Sequence, residues 1–126
     1  MSKYDDFSVR MKEYEFACRT VLPKRLPVII RLDGKAFHTF TKGMKRPFDE
    51  RLSDAMWQTA VFLCENIQNC KLAYTQSDEI SLLLINYEKI NTESWFDNEV
   101  QKMVSVSASL ATAKFNDMIH RDRKSV

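Results

Sequence analysis

Glycine occurs only twice in the 126 residues, at Gly34 and Gly43, and both fall in one short stretch, DGKAFHTFTKG. A chain so sparing of glycine has few places for unusual backbone geometry, so this stretch is where such geometry is needed. Just before it, Pro27 leads into VIIRLD, an apolar run rich in β-branched residues that ends at Asp33-Gly34. That pattern predicts a buried strand closed by a turn. After Pro47, Asp49 is a candidate N-cap for a helix in which Leu52, Met56, Ala60, Leu63 and Ile67 share one face, up to Asn69. Cys70–Gln76 and Ile80–Ile85 suit two strands joined by Ser77-Asp78-Glu79, a short hairpin connection. From about Thr92 the pattern is helical again, with Val100, Met103, Val104, Ser107, Leu110 and Ala111 on one face until roughly Met118. The expected order β-α-β-β-α is an α+β arrangement, most of a ferredoxin-like split β-α-β unit without its closing strand.

No repeat, low-complexity tract or linker divides the chain, so residues 1–126 read as one domain with a single modest core. The first residues, MSKYDDFSVRMKEYEF, mix charges with isolated apolar side chains and hold no apolar stretch of signal-peptide length. The run from Ile80 to Ile85 is far too short to span a bilayer. These features predict a cytoplasmic protein with no membrane partner. Cys18, Cys64 and Cys70 are odd in number and lack C-x-x-C spacing, which predicts reduced thiols rather than a disulfide framework or a zinc knuckle. The net charge of +2 does not single out a nucleic-acid binder. Local basic clusters at Lys42, Lys45 and Arg46 and at His120, Arg121, Arg123 and Lys124 could meet phosphates or lie in solvent.

In a β-α-β-β unit the first strand lies next to the hairpin, so Asp33 can approach Asp78 and Glu79. Carboxylates forced together repel and favour a divalent cation. Magnesium suits such hard oxygen donors, taking one or two carboxylates and completing its shell with water and substrate phosphate. Two such ions about 3.5–4 Å apart would activate an attacking hydroxyl and stabilise a leaving phosphate oxygen, and the Gly34 carbonyl could add a ligand. Spacing alone leaves open the plainer reading, a β-turn at Asp33-Gly34 and a solvated hairpin tip.

The loop from Lys35 to Asp49 carries Lys35, His38, Lys42, Lys45 and Arg46, donors and cations of the kind a nucleoside triphosphate needs. His38 has no neighbouring Cys or second His to form a zinc site, which favours a polar contact over general-base work. Phe37 and Phe40 read as core rather than stacking platforms. The glycine spacings of the Walker phosphate loop and of dinucleotide-binding folds are both absent.

The run RLDGKAFHTFTKGMKRPFDERL, from Arg31 to Leu52, together with YTQSDEISLLL, from Tyr74 to Leu84, resembles the tRNA-histidine guanylyltransferase family, and more closely its guanylyltransferase-like branch. The likeness extends more loosely from Met11 through VLPKRLPVIIR and into the stretch from Lys102 to Phe115. It implies a polymerase-like palm, and a metal-dependent nucleotidyltransferase that adds nucleotides, typically G, to the 5′ end of tRNA in the 3′-to-5′ direction. A nucleoside triphosphate, GTP or ATP, first activates a 5′-monophosphorylated end, which the 3′-hydroxyl of an incoming nucleotide then attacks. It further implies two magnesium ions bridged by Asp33 and Asp78 with the Gly34 carbonyl as a ligand, and Glu79 as a supporting acid. Ser77, His38, Lys35 and Arg46 would hold a triphosphate, and Asp49 would lie near the base. A homo-oligomer, a tetramer in the family, is the implied assembly.

Family members are longer, so the resemblance makes this a truncated palm whose missing strand and tRNA-binding surface put its action alone in question. A competing reading is a non-catalytic nucleotide- or RNA-binding palm module. A diguanylate-type cyclase shares the palm, but no GGDEF-like string occurs and QSDE occupies the hairpin.

Overall fold

A computed structural model describes residues 3–34 and 50–124. Helix α1 spans Lys3–Ala17, strand β1 Val28–Asp33, helix α2 Glu50–Asn66, strand β2 Cys70–Gln76 and strand β3 Glu79–Leu84; a short 3-10 turn at Trp95–Asn98 leads into helix α3, Val100–Lys124. The three strands form one antiparallel sheet in the order β1-β3-β2. Val28 pairs with Leu84 and Asp33 with Glu79, while on the other side of β3 Gln76 also faces Glu79. The α+β class and the order of β1, α2, β2, β3 and α3 follow the sequence pattern.

Both long helices lie on one face of the sheet. Strand alternation turns Val28, Ile30, Ile80, Leu82 and Leu84 inward, where they meet Met56, Ala60, Leu63 and Ile67 beside α2 and Met103 on α3. Met56, Ala60 and Leu63 recur at helical spacing on one side of α2, so a single stripe supplies its share of the core. Helices α2 and α3 pack together, and Ala55 and Thr59 on α2 and Ser107 on α3 are small buried residues. The two hydroxyls bond within their own helices, Thr59 Oγ1 to the Ala55 carbonyl at 2.7 Å and Ser107 Oγ to the Val104 carbonyl at 3.2 Å. The opposite sheet face carries Ile29, 71% exposed, with Leu72 and Tyr74 also open to solvent.

Three differences from the sequence expectation have physical causes. Helix α1 was not expected, because its apolar residues are scattered among charges; every side chain described from Asp5 to Ala17 is exposed. The hairpin turn is Ser77-Asp78 alone, since Glu79 already pairs with Gln76. Helix α3 begins at Val100 rather than near Thr92, because Phe96, Asp97 and Asn98 take left-handed φ of 50°, 52° and 60°.

That left-handed segment is a clamp. Buried Asn98 donates from Nδ2 to the Pro23 carbonyl at 3.1 Å, its own carbonyl accepts from the Leu22 amide at 2.9 Å, and the Val100 amide donates to the Thr20 carbonyl at 2.9 Å. Buried Asn86 works alongside it, accepting from the Arg25 amide at 3.1 Å and donating to Ser94 Oγ at 2.9 Å. Asparagine tolerates φ > 0 and has donors that reach backbone carbonyls, two properties alanine lacks. Asn98→Ala is therefore expected to destabilise the fold by about 1–3 kcal/mol, read as a lower urea midpoint; a midpoint equal to wild type would contradict the clamp.

All three cysteines are free thiols, Cys18 exposed and Cys64 and Cys70 partly buried. Burial, reinforced by the neighbouring Cys64, pushes the Cys70 thiol up to about 12. Among the described residues no helix is long and apolar enough to cross a membrane.

Candidate active site at the Asp33 end of the sheet

Asp33 is the last residue of β1 and lies directly across from Glu79, the first residue of β3. The next amide, Gly34 N–H, donates to the Asp78 carbonyl at 3.0 Å and ties the end of β1 to the hairpin turn. The turn is tight: Ser77 has a φ of 56°, a left-handed value that costs a side-chain-bearing residue on the order of 1 kcal/mol. Asp33, Gly34 and Asp78 thus lie within one short span, and with Leu32, Met56 and Phe115 they line a cavity of ≈ 330 Å³. Thr112 and Asn116 of α3 add polar groups to its wall.

The register brings Asp33, Asp78 and Glu79 to one end of the sheet, as the topology led us to expect. Among the described residues no three His, Cys, Asp or Glu side chains form a group that could hold a metal ion. Arg31 stands among these acids: its guanidinium donates to the Glu79 carboxylate, and its Nε lies 3.9 Å from Asp33 Oδ1. The hydrogen bond and charge of Glu79, with a smaller contribution from Asp33, hold the guanidinium above its ordinary value. The Asp33 and Asp78 carboxylates and the Gly34 carbonyl are all hard oxygens. Magnesium commonly uses only one or two carboxylates, with water and substrate phosphate for the rest, so this donor set suits it in kind.

Of the other sequence-predicted residues, Ser77 occupies the first position of the turn. Lys35, His38, Arg46 and Asp49 lie outside the described residues. Arg31 was passed over in the sequence as an ordinary strand residue. Its signal was the period of two, which places Arg31 and Asp33 on one sheet face. Thr112 and Asn116 had no sequence signal beyond a helix pattern.

The profile of the family described as "tRNAHis guanylyltransferase" matches residues 8–125. The tRNA(His) guanylyltransferase of Schizosaccharomyces pombe is 33% identical over 83% of this chain and 38% of its own length. Among solved structures, a bacterial tRNA(His) guanylyltransferase-like protein in complex with GTP is 55% identical with a TM-score of 0.88, over 90% of this chain and 54% of that one. A bacterial tRNA(His) guanylyltransferase-like protein in complex with ATP is 53% identical with a TM-score of 0.91, over 94% of this chain and 52% of the other. The chain therefore spans about half the length of these solved structures, and less of the curated relative.

Proposed function

The chain belongs to the tRNAHis guanylyltransferase family, and from that premise we propose that it carries the catalytic part of a metal-dependent nucleotidyltransferase that extends the 5′ end of tRNA in the 3′-to-5′ direction. The observation that carries this reading is the register that sets Asp33 against the hairpin turn, with Gly34 hydrogen-bonded to Asp78. The bacterial relatives bound to GTP and to ATP support nucleoside triphosphates as substrates. The sheet with both helices on one face supports the palm reading, and the family reading also carries tRNA as partner and a homotetramer as assembly.

In this reading Asp33, Asp78 and the Gly34 carbonyl would hold magnesium, which when bound supplies charge neutralisation at the reacting phosphate. Glu79, held by Arg31, would sit beside them as a supporting acid. Ser77, Lys35, His38 and Arg46 would bind the triphosphate, and Asp49 would lie near its base. Phosphoryl transfer rests mainly on positioning and charge, which such residues provide without covalent chemistry. The test is incorporation of labelled GTP into monophosphorylated and triphosphorylated tRNA with and without magnesium. Magnesium-dependent labelling at the 5′ end supports the proposal. GTP binding with no incorporation would instead assign a non-catalytic nucleotide-binding module.

Triphosphate affinity should depend on Arg46, so Arg46→Ala is expected to weaken GTP binding by about 1.5–3 kcal/mol, the size of a charge-assisted hydrogen bond. Calorimetry reads this directly. Unchanged affinity would return that side chain to solvated surface.

A further inference from the structure

We propose that Arg31 is a built-in counter-ion that competes with a divalent cation for the acidic end of the sheet. The inference rests on the reading of Asp33 and Asp78 as cation ligands and adds a residue that reading does not assign. Arg31 and Asp33 are two apart on β1 and share its open face, while Ser81 pairs with Arg31 and Glu79 with Asp33 on β3. Two carboxylates on directly opposed residues repel and destabilise the pairing. The guanidinium answers that repulsion, donating to Glu79 and standing 3.9 Å from Asp33 Oδ1.

The same position sets up the competition. A cation taken up by Asp33 would bring positive charge next to a group that cannot shed its own, because arginine stays protonated throughout the accessible pH range. Cation binding therefore has to displace Arg31 from Asp33 or accept the repulsion, and either costs affinity. Glu79 then acts as the anchor that keeps the displaced guanidinium nearby. Arg31 is a positioning residue in this account: its positive charge offsets the repulsion between the acids and keeps them in register before the cation arrives.

The experiment is titration of the chain with magnesium, followed by calorimetry and repeated with manganese as a paramagnetic probe, for wild type, Arg31→Gln, Arg31→Lys, Glu79→Gln and Ser81→Ala. Circular dichroism establishes that each variant is folded. Arg31→Gln is expected to bind the cation about three- to fivefold more tightly than wild type, the range an exposed ion pair allows. Arg31→Lys should stay near wild type because it keeps the charge, and Ser81→Ala should not differ from wild type because it alters the same face without charge. Glu79→Gln should move the opposite way and weaken binding, because it leaves Arg31 to Asp33 alone, and it serves as the deciding variant if Arg31→Gln does not fold. Binding by Arg31→Gln where wild type shows none would also support the proposal. Equal or weaker binding by a folded Arg31→Gln, or unchanged binding by Glu79→Gln, would overturn the counter-ion role and leave the metal reading standing. No binding by any variant would overturn the metal reading, and this inference with it.

Discussion

Asp33→Ala and Asp78→Ala are each expected to lower nucleotide transfer by on the order of a thousandfold while leaving the melting temperature close to wild type. The effect follows from the proposed role: charge neutralisation at a phosphoryl group is worth several kcal/mol, and each ~1.4 kcal/mol is tenfold in rate. The Asp33 side chain is exposed at the end of an edge strand, so its loss leaves no cavity and no buried orphan. The measurement pairs a 5′-end labelling assay with a thermal melt. Near-wild-type transfer by either variant would remove the acid from the site, and a collapsed melt would make it a structural residue.

The largest effect on stability is expected at Leu63. It is 0% exposed, on the face of α2 that packs against the sheet. Leu63→Ala removes its buried methyl groups and leaves a void that a close-packed interior fills only in part, so the expected loss is about 2–5 kcal/mol. For a domain of ordinary stability, about 5–15 kcal/mol, that is a large share of the whole. Trp57, on the same helix and 58% exposed, is the internal control; its truncation should cost well under half as much by urea denaturation. Equal losses at the two positions would mean that α2 presents a different face to the sheet.

Much of the fold was legible because its core segments are compact apolar runs or a single helical stripe. VIIRLD and the run from Ile80 to Ile85 were legible as apolar strand segments, and Met56, Ala60 and Leu63 as the spacing of one helix face. What was not legible has no periodic signature. Helix α1 shows no apolar stripe, and its exposed Phe7, Tyr14 and Phe16 resemble a loop's residues as much as a helix's. The start of α3 was set by the backbone of Phe96, Asp97 and Asn98 and by long-range bonds from Asn98 to the chain near Pro23, which no local window contains.

At the site, Asp33 and the connection Ser77-Asp78-Glu79, one residue longer than the observed turn, were read from the acids and the topology. Arg31 was not, although it stands two residues from Asp33. Arginine in a strand is usually just solvent-facing, and only the register that brings Glu79 diagonally opposite makes it an ion-pair partner. The roles of Lys35, His38, Arg46 and Asp49 rest on family resemblance.

The pairing of β1 with β3 bears on the order of events during folding. The β2–β3 hairpin closes across the two-residue turn, with Gln76 meeting Glu79, so it can form early from neighbouring segments. β1 joins it only by pairing Val28 with Leu84 and Asp33 with Glu79, and each of these contacts closes a long loop that contains all of α2. Loop closure of that kind must be met in entropy before any contact is gained. The acids are therefore brought face to face only when this long-range pairing zips shut, and a partly folded chain with its hairpin and helices formed would still have no site.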